Sequence, residues 1–180
     1  DTYDFHGIFT ELYQFCNSDL SAFYFEIRKD MLYCDLPGST GRRACRTVMH
    51  ELFSRLTAWL APIICFTAEE AWQAYVGDSE NSVHLRQYDV VPANWLDDDI
   101  DANWSTIRQV RQVVMSALEK ARNDGAIGAS LQAAPRVYVT PAMQSTFDGQ
   151  DEASLFITSA ATIVTDTPPA DAFQLNTVAD

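Results

Sequence analysis

Thr40 to Tyr75 reads T-G-R-R-A-C-R-T-V-M-H-E-L-F-S-R-L-T-A-W-L-A-P-I-I-C-F-T-A-E-E-A-W-Q-A-Y. Within it Cys45, Val48, Met49, Leu52, Phe53, Leu56, Trp59 and Leu60 recur at the spacing of one face of an α-helix. Thr40 stands where an N-cap hydroxyl satisfies free backbone N–H groups, so the helix is expected to begin there. Pro62 has no N–H and crowds the preceding turn, which predicts an end or kink near Ala61. A second helix should follow, capped by Thr67, with Glu69 and Glu70 in its first turn where the macrodipole favours anions. Arg42, Arg43 and Arg46 fall in the opening turns of the first helix, and Arg55 two to three turns further on. The stretch therefore predicts two helices meeting at a proline, with a thick apolar face and a cluster of arginines at one end.

Outward from this centre the pattern stays mostly helical. Phe5, Ile8, Phe9, Leu12, Tyr13 and Cys16 predict a helix over 3–17, and its start so close to the first residue implies a longer parent chain. Asn17 and Ser18 are expected to break it. Ser18 or Asp19 would cap the next helix, in which Leu20, Phe23, Tyr24, Ile27, Met31 and Cys34 line one face. Asp35-Leu-Pro-Gly-Ser reads as a loop. After Val76-Gly77 the chain becomes irregular and acidic, with Ser82-Val-His-Leu as an extended piece and Asp97-Asp98-Asp99 as a solvated charge run. A long helix is expected from about Asp101 to Arg122, ended by Asn123-Asp124-Gly125. Arg136-Val-Tyr-Val-Thr alternates as a strand between two prolines. A short helix within 150–159, a second strand at Ala161-Thr-Ile-Val-Thr, a turn at Pro168-Pro169 and a third strand over 172–178 complete the reading. The fold class is mainly α, an antiparallel helical bundle followed by a small α/β segment, divided as a helical domain over 1–124 and a subdomain over 125–180.

The 180 residues suffice for one good-sized domain, and the apolar and aromatic content is ample for a core. No run approaches the ~20 apolar residues of a membrane span, and Asp1 and Asp4 stand where a signal peptide carries positive charge. Cys16, Cys34, Cys45 and Cys65 lie far apart within apolar patterns, which reads as buried free thiols in a reducing compartment.

Chemistry is sparse. Glu69 and Glu70 are adjacent, so on a helix they diverge by about 100° and read as caps. His6, His50 and His84 lack metal-ligand spacing, and no phosphate loop, dinucleotide fingerprint or nucleophile elbow is present. No catalytic or metal residue is assigned. Charge is more informative. The net charge is −13, yet Arg28, Lys29, Arg42, Arg43, Arg46 and Arg55 face only Asp30, Asp35 and Glu51 between Arg28 and Arg55. From Asp78 to Asp101 Arg86 alone faces seven acids, and no basic residue follows Arg136. Antiparallel helices joined by the short loop would gather Lys29 with Arg42, Arg43 and Arg46, and Tyr24 and Tyr33 would add rings. Cations beside aromatic surfaces suit an unpaired RNA loop, whose phosphates need positioning and whose splayed bases need stacking. A helix surface neutralised by Asp30, Asp35 and Glu51 fits the same residues, and the spacing alone does not prefer RNA.

The ordered phrases do. Leu20–Tyr33 (L-S-A-F-Y-F-E-I-R-K-D-M-L-Y), Arg42–Val48 (R-R-A-C-R-T-V) and Leu60–Trp72 (L-A-P-I-I-C-F-T-A-E-E-A-W) resemble the anticodon-binding helical domain of class I isoleucyl-tRNA synthetases. Ser82–Leu85 (S-V-H-L) and Ile127–Ala133 (I-G-A-S-L-Q-A) follow in that family's order and favour it over the similar valyl and leucyl enzymes. The resemblance implies a cytoplasmic, monomeric ligase that joins isoleucine to tRNA(Ile) using ATP and magnesium. The catalytic and editing domains would lie elsewhere in the parent chain, as would a cysteine-paired zinc knuckle present in many relatives. It implies Lys29, Arg42, Arg43 and Arg46 as tRNA contacts and Tyr33 as a stacking ring. Asp30 would hold Arg42 or Arg43, or read a base edge. Trp59, Phe66 and Trp72 are expected in the core. The rival expectations are a purely structural or protein-docking helical module and the equivalent domain of a valyl or leucyl enzyme.

Overall fold

The computed structural model describes residues 4–77 and 80–175, and they are mainly helical. They group into two compact units, one drawn from Asp1–Lys29 and Asp97–Asp180, the other from Asp30–Leu96.

The first unit opens with helix α1 (Phe5–Gln14), where Asp4 Oδ1 accepts the Gly7 N–H at 2.9 Å. Its Phe5, Ile8 and Tyr13 are more than half exposed. The expected break at Asn17-Ser18 is absent. The chain continues as a π-helical segment (Phe15–Phe25) and passes directly into α2 (Glu26–Cys34). The burial pattern explains this winding. Phe15, Cys16, Asp19, Leu20, Phe23, Tyr24, Ile27 and Arg28 are the shielded positions, recurring every four residues. A four-residue repeat lies between the α turn of ~3.6 residues and the wider π turn, so the π segment drifts in the opposite sense and offsets the rotation that flanking α-helix gives the stripe.

Helix α5 (Asp98–Asn123) is the spine of this unit. It starts three residues earlier than its apolar pattern predicts, because the acidic run is its cap and not a solvated loop. Asp97 Oδ1 accepts the Ile100 N–H at 3.0 Å, and Asp98, Asp99 and Asp101 occupy the first turn. Lys120 and Arg122 sit in the last turn, and Gly125 (φ 73°) takes the left-handed conformation that ends it. Ile107, Val110, Val114 and Leu118 form the buried stripe, joined by Ile27, Phe147, Leu155 and Phe156 in one core. Residues beyond 125 thus supply part of the core that α5 organises. Strands β1 (Arg136–Tyr138) and β2 (Thr162–Val164) pair in parallel with Val137 opposite Ile163. Between them lie α6 (Pro141–Gln144), capped by Thr140, and α7 (Glu152–Phe156), capped by Asp151. Sequence reading missed α6. The expected third strand is not formed over 172–175, and its remainder lies outside the described residues.

The second unit holds the end of α2, then α3 (Thr40–Leu60) and α4 (Cys65–Val76). Ser39, not Thr40, is the N-cap of α3; its Oγ accepts the Arg42 N–H at 3.3 Å. Pro62 separates α3 from α4, and Gly77 (φ 69°) ends α4 as expected. Helix α4 begins two residues before Thr67, at an Ile64 cap that makes no side-chain hydrogen bond, so Glu69 is not a first-turn carboxylate. Its work lies elsewhere. Glu69 Oε2 accepts the Val83 N–H at 2.8 Å and the Ser82 hydroxyl at 3.0 Å, and this bends Ser82–Leu85 into a 3-10 turn instead of the expected extended piece. Arg86 completes the clasp. It donates to Ser54 O at 2.6 Å and Ser54 Oγ at 2.8 Å, with its guanidinium 4.3 Å from the Trp72 ring centroid. The buried apolar cluster is small: Ala61, Ala68 and Val83, with Trp72 packed against it. Trp59 is half-buried, but Phe66 is 93% exposed, contrary to its expected core position. Of the four cysteines expected to be buried only Cys45 is; Cys34 and Cys65 are exposed and Cys16 is intermediate.

Two outcomes test this packing. Phe156 is fully buried, so Phe156→Ala should cost about 3–5 kcal/mol in urea denaturation; a loss below about 1 kcal/mol would contradict the core as described. For Glu69, partial desolvation pushes the carboxyl up. The Val83 N–H, the Gln73 amide, the Ser82 hydroxyl and the charge of His84 outweigh it and hold the group below the ordinary carboxylate range. A depressed folded value means that the contribution is present above the unfolded value of about 4.3 and lost as pH falls through the folded one. Amide exchange at Val83 should therefore accelerate on acidification below about pH 4, and in Glu69→Gln that acid-driven step should disappear.

Candidate nucleic-acid interface

The α2–α3 corner of the second unit is built by short-range geometry. Asp35 to Ser39 connect the helices, and the Ser39 hydroxyl donates to Asp35 Oδ2 at 3.2 Å while capping α3. Met31 packs so closely on Gly41 that a Cβ there would lie 3.0 Å from its sulfur, which fixes the last turn of α2 against the first turn of α3. Arg42 is half-buried in this corner and donates from Nη1 to the Asp35 carbonyl at 2.6 Å. Its Nε is buried and makes no hydrogen bond. Arg43 and Arg46 project from the same helix into solvent, and Tyr33, on the last turn of α2, is 79% exposed. Tyr33 thus stands on the last turn of α2, and Arg42, Arg43 and Arg46 on the opening turns of α3, on either side of the connection at 35–39. Asp30 is exposed on α2; the anchor of Arg42 is the Asp35 carbonyl, not the Asp30 carboxylate. Lys29 is exposed on α2 as the last residue of the first unit.

Charge pairing separates these residues from the rest. Arg55, Arg86, Arg108, Arg111, Lys120, Arg122 and Arg136 each lie within ion-pair distance of a carboxylate. Arg28, Lys29, Arg42, Arg43 and Arg46 are the other basic residues of the chain, and among the described residues none of the five has a carboxylate partner. All five fall within 19 positions of a chain carrying a net charge of −13. Leaving five cations unneutralised beside abundant acid is the arrangement expected when the counter-charge comes from outside the protein.

Sequence reasoning missed one neighbouring feature, a contact of His50 on α3 with Tyr75 on α4: Nδ1 and the phenol oxygen are 2.6 Å apart. The residues lie 25 apart in the chain, and only the helix corner at Pro62 joins them. No group of three or more potential metal ligands occurs among the described residues, and no described helix is long and apolar enough to cross a membrane.

The mainly helical architecture agrees with what comparison with known proteins finds. Residues 1–138 match the family of anticodon-binding domains of tRNA ligases, and the chain belongs to that family. It is 49% identical, over 99% of its length, to the isoleucine–tRNA ligase of Agrobacterium fabrum and 47% identical, again over 99%, to that of Bartonella henselae. The isoleucine–tRNA ligase of Gluconobacter oxydans is 46% identical over 89% of the chain. The chain spans only 17–18% of the length of these relatives.

The two kinds of arginine at the corner should separate by stability. Arg42→Ala, which frees the Asp35 carbonyl and the α2–α3 connection, should cost about 1–2 kcal/mol in thermal or urea unfolding. Arg43→Ala and Arg46→Ala should stay within about 0.5 kcal/mol of the parent, as surface substitutions do. Equal losses at all three would mean that Arg43 and Arg46 are structural.

Proposed function

We propose that the chain is the tRNA anticodon-binding domain of an isoleucyl-tRNA synthetase, with Lys29, Arg42, Arg43 and Arg46 contacting the RNA backbone and Tyr33 stacking on an unpaired base. The observation that supports this is that, among the described residues, the arginines and lysines without a carboxylate partner all fall between Arg28 and Arg46, a stretch that also holds the exposed Tyr33. Phosphates supply the missing counter-charge, and a ring held at a helix end offers the face that a splayed base needs. Arg42, fixed by Asp35, presents a pre-oriented guanidinium; Arg43 and Arg46 adapt to the strand. Asp30 is then placed to accept from a base edge.

The role is positional. Grip on the anticodon end holds tRNA(Ile) so that its distant acceptor end reaches a catalytic domain outside this chain. That domain would use ATP and magnesium to activate isoleucine, with an editing domain beside it and zinc held in a further segment. The residues here supply binding and orientation alone, in a monomeric cytoplasmic enzyme. Residues 1–124 act as the anticodon-binding helical domain and 125–180 as an appended subdomain.

Filter binding of an isoleucine tRNA transcript at two or more salt concentrations tests the reading. Arg43→Ala should weaken binding across the salt range and lower the slope of log affinity against log salt by about one. Unchanged affinity and slope would remove Arg43 from the interface. Equal affinity for isoleucine, valine and leucine tRNAs would remove the isoleucine assignment.

A further inference from the structure

We infer that the RNA-contact surface does not stop at the arginine corner but runs along α3 to the His50–Tyr75 pair, which forms a second point of contact for the same strand. The inference rests on the tRNA-binding reading above and extends it to two residues on different helices. Arg43, Arg46, Thr47 and His50 stand at i, i+3, i+4 and i+7, so they share one face of α3 and cover about 10 Å of its length. All four are exposed. Glu51, at i+8 from Arg43, borders the stripe. It is the one acid of α3, and it is turned to Arg55 and paired with it. Cations thus lead along a track from the α2–α3 corner to an imidazole.

The imidazole is held rather than free. Its Nδ1 is bonded to the Tyr75 hydroxyl at 2.6 Å, and the Tyr75 ring is itself set by Phe53 at 4.9 Å and Trp72 at 6.1 Å between centroids. Tyr75 remains 53% exposed. A hydrogen bond between two exposed side chains satisfies no buried group, so the fold has no evident need of it. What it does is fix the ring plane and assign one nitrogen, leaving Nε2 as the nitrogen available to a ligand. In the tautomer whose Nδ1 accepts the phenol proton, Nε2 is an oriented N–H donor at the end of a cationic stripe, which suits a phosphate oxygen or a ribose 2′-hydroxyl, and the exposed edge of Tyr75 adds aromatic surface beside it. Pre-orientation lowers the entropy lost when the contact forms.

The test measures affinity of an isoleucine tRNA transcript for the full-length protein carrying this chain, with thermal melting run on each variant. His50→Glu places a negative charge on the track and should weaken binding about tenfold or more. Tyr75→Phe keeps the ring on Phe53 but releases the imidazole, and should weaken binding about threefold with an unchanged melting temperature. Gln109→Glu makes the same charge change on an exposed position of α5 and should leave affinity within twofold. If His50→Glu melts early, Tyr75→Phe decides. Parent-like affinity in both variants, with Arg43→Ala still weakened, would end the track at the arginines and leave the tRNA-binding reading intact. Loss in Gln109→Glu equal to that in His50→Glu would reduce the effect to overall charge and overturn the inference. If Arg43→Ala is also without effect, the underlying reading falls and this inference with it.

Discussion

The second unit depends on a clasp between two oppositely charged side chains and the irregular segment they hold. Its buried apolar cluster is two alanines and a valine with Trp72 alongside, too little to order residues 80–96 by hydrophobic burial alone. Glu69 supplies acceptors to the Val83 N–H and the Ser82 hydroxyl, and Arg86 fills the Ser54 carbonyl and hydroxyl while lying on Trp72. Arg55 repeats the motif at smaller scale, paired to Glu51 with its guanidinium 4.9 Å from the Trp95 ring. Flat cations over indoles, their edges bonded to carbonyls and carboxylates, do here what aliphatic packing does elsewhere. The arrangement has a directional consequence. The segment is drawn to the later turns of α3, at Ser54 and Arg55, and Arg43, Arg46 and His50 on the earlier turns stay exposed.

That division explains how an acidic chain can present a cationic site. Each arginine or lysine outside Arg28–Arg46 has a carboxylate within reach, either a few residues away, as Lys120 has Asp124, or across the fold, as Arg136 has Asp166. Such pairs at the surface contribute little to stability, but they cancel charge locally. Among the described residues, the basic stretch from Arg28 to Arg46 is then left without such local cancellation. An acidic body also discourages indiscriminate adhesion to nucleic acid.

The first unit solves a different problem. Its α5 stripe is a regular apolar helix face, yet the partner segment preceding α2 spaces its inward residues by four. The π winding of Phe15–Phe25 reconciles the two spacings, and the Arg108 and Arg111 guanidiniums lie 4.9 and 5.6 Å from the Phe23 ring where this segment faces α5. Arg111 is desolvated there, which lowers its pKa against the opposing pull of Glu26, and its Nε bonds the Leu155 carbonyl at 2.9 Å. The C-terminal α/β segment is thereby tied to the same helix that sets the core.

By itself the sequence determined the helical class, the corner at Pro62, the glycine-ended helices α4 and α5, both short strands and the basic stretch from Arg28 to Arg46. These follow from periodicity, turn chemistry and composition, all of which act within a few residues. The ordered phrases from Leu20 to Ala133 carried the family as well. What only tertiary structure decided is which charges are spent. Whether Asp97 floats in solvent or caps a helix, whether Glu69 caps its own helix or bends a loop 14 residues away, and whether Asp30 or the Asp35 carbonyl anchors Arg42 depend on groups brought together by packing. The His50–Tyr75 contact and the exposure of Phe66 belong to the same class. Local spacing says where a charged or aromatic side chain begins; its partner, and so its availability to a ligand, is fixed by how distant helices pack.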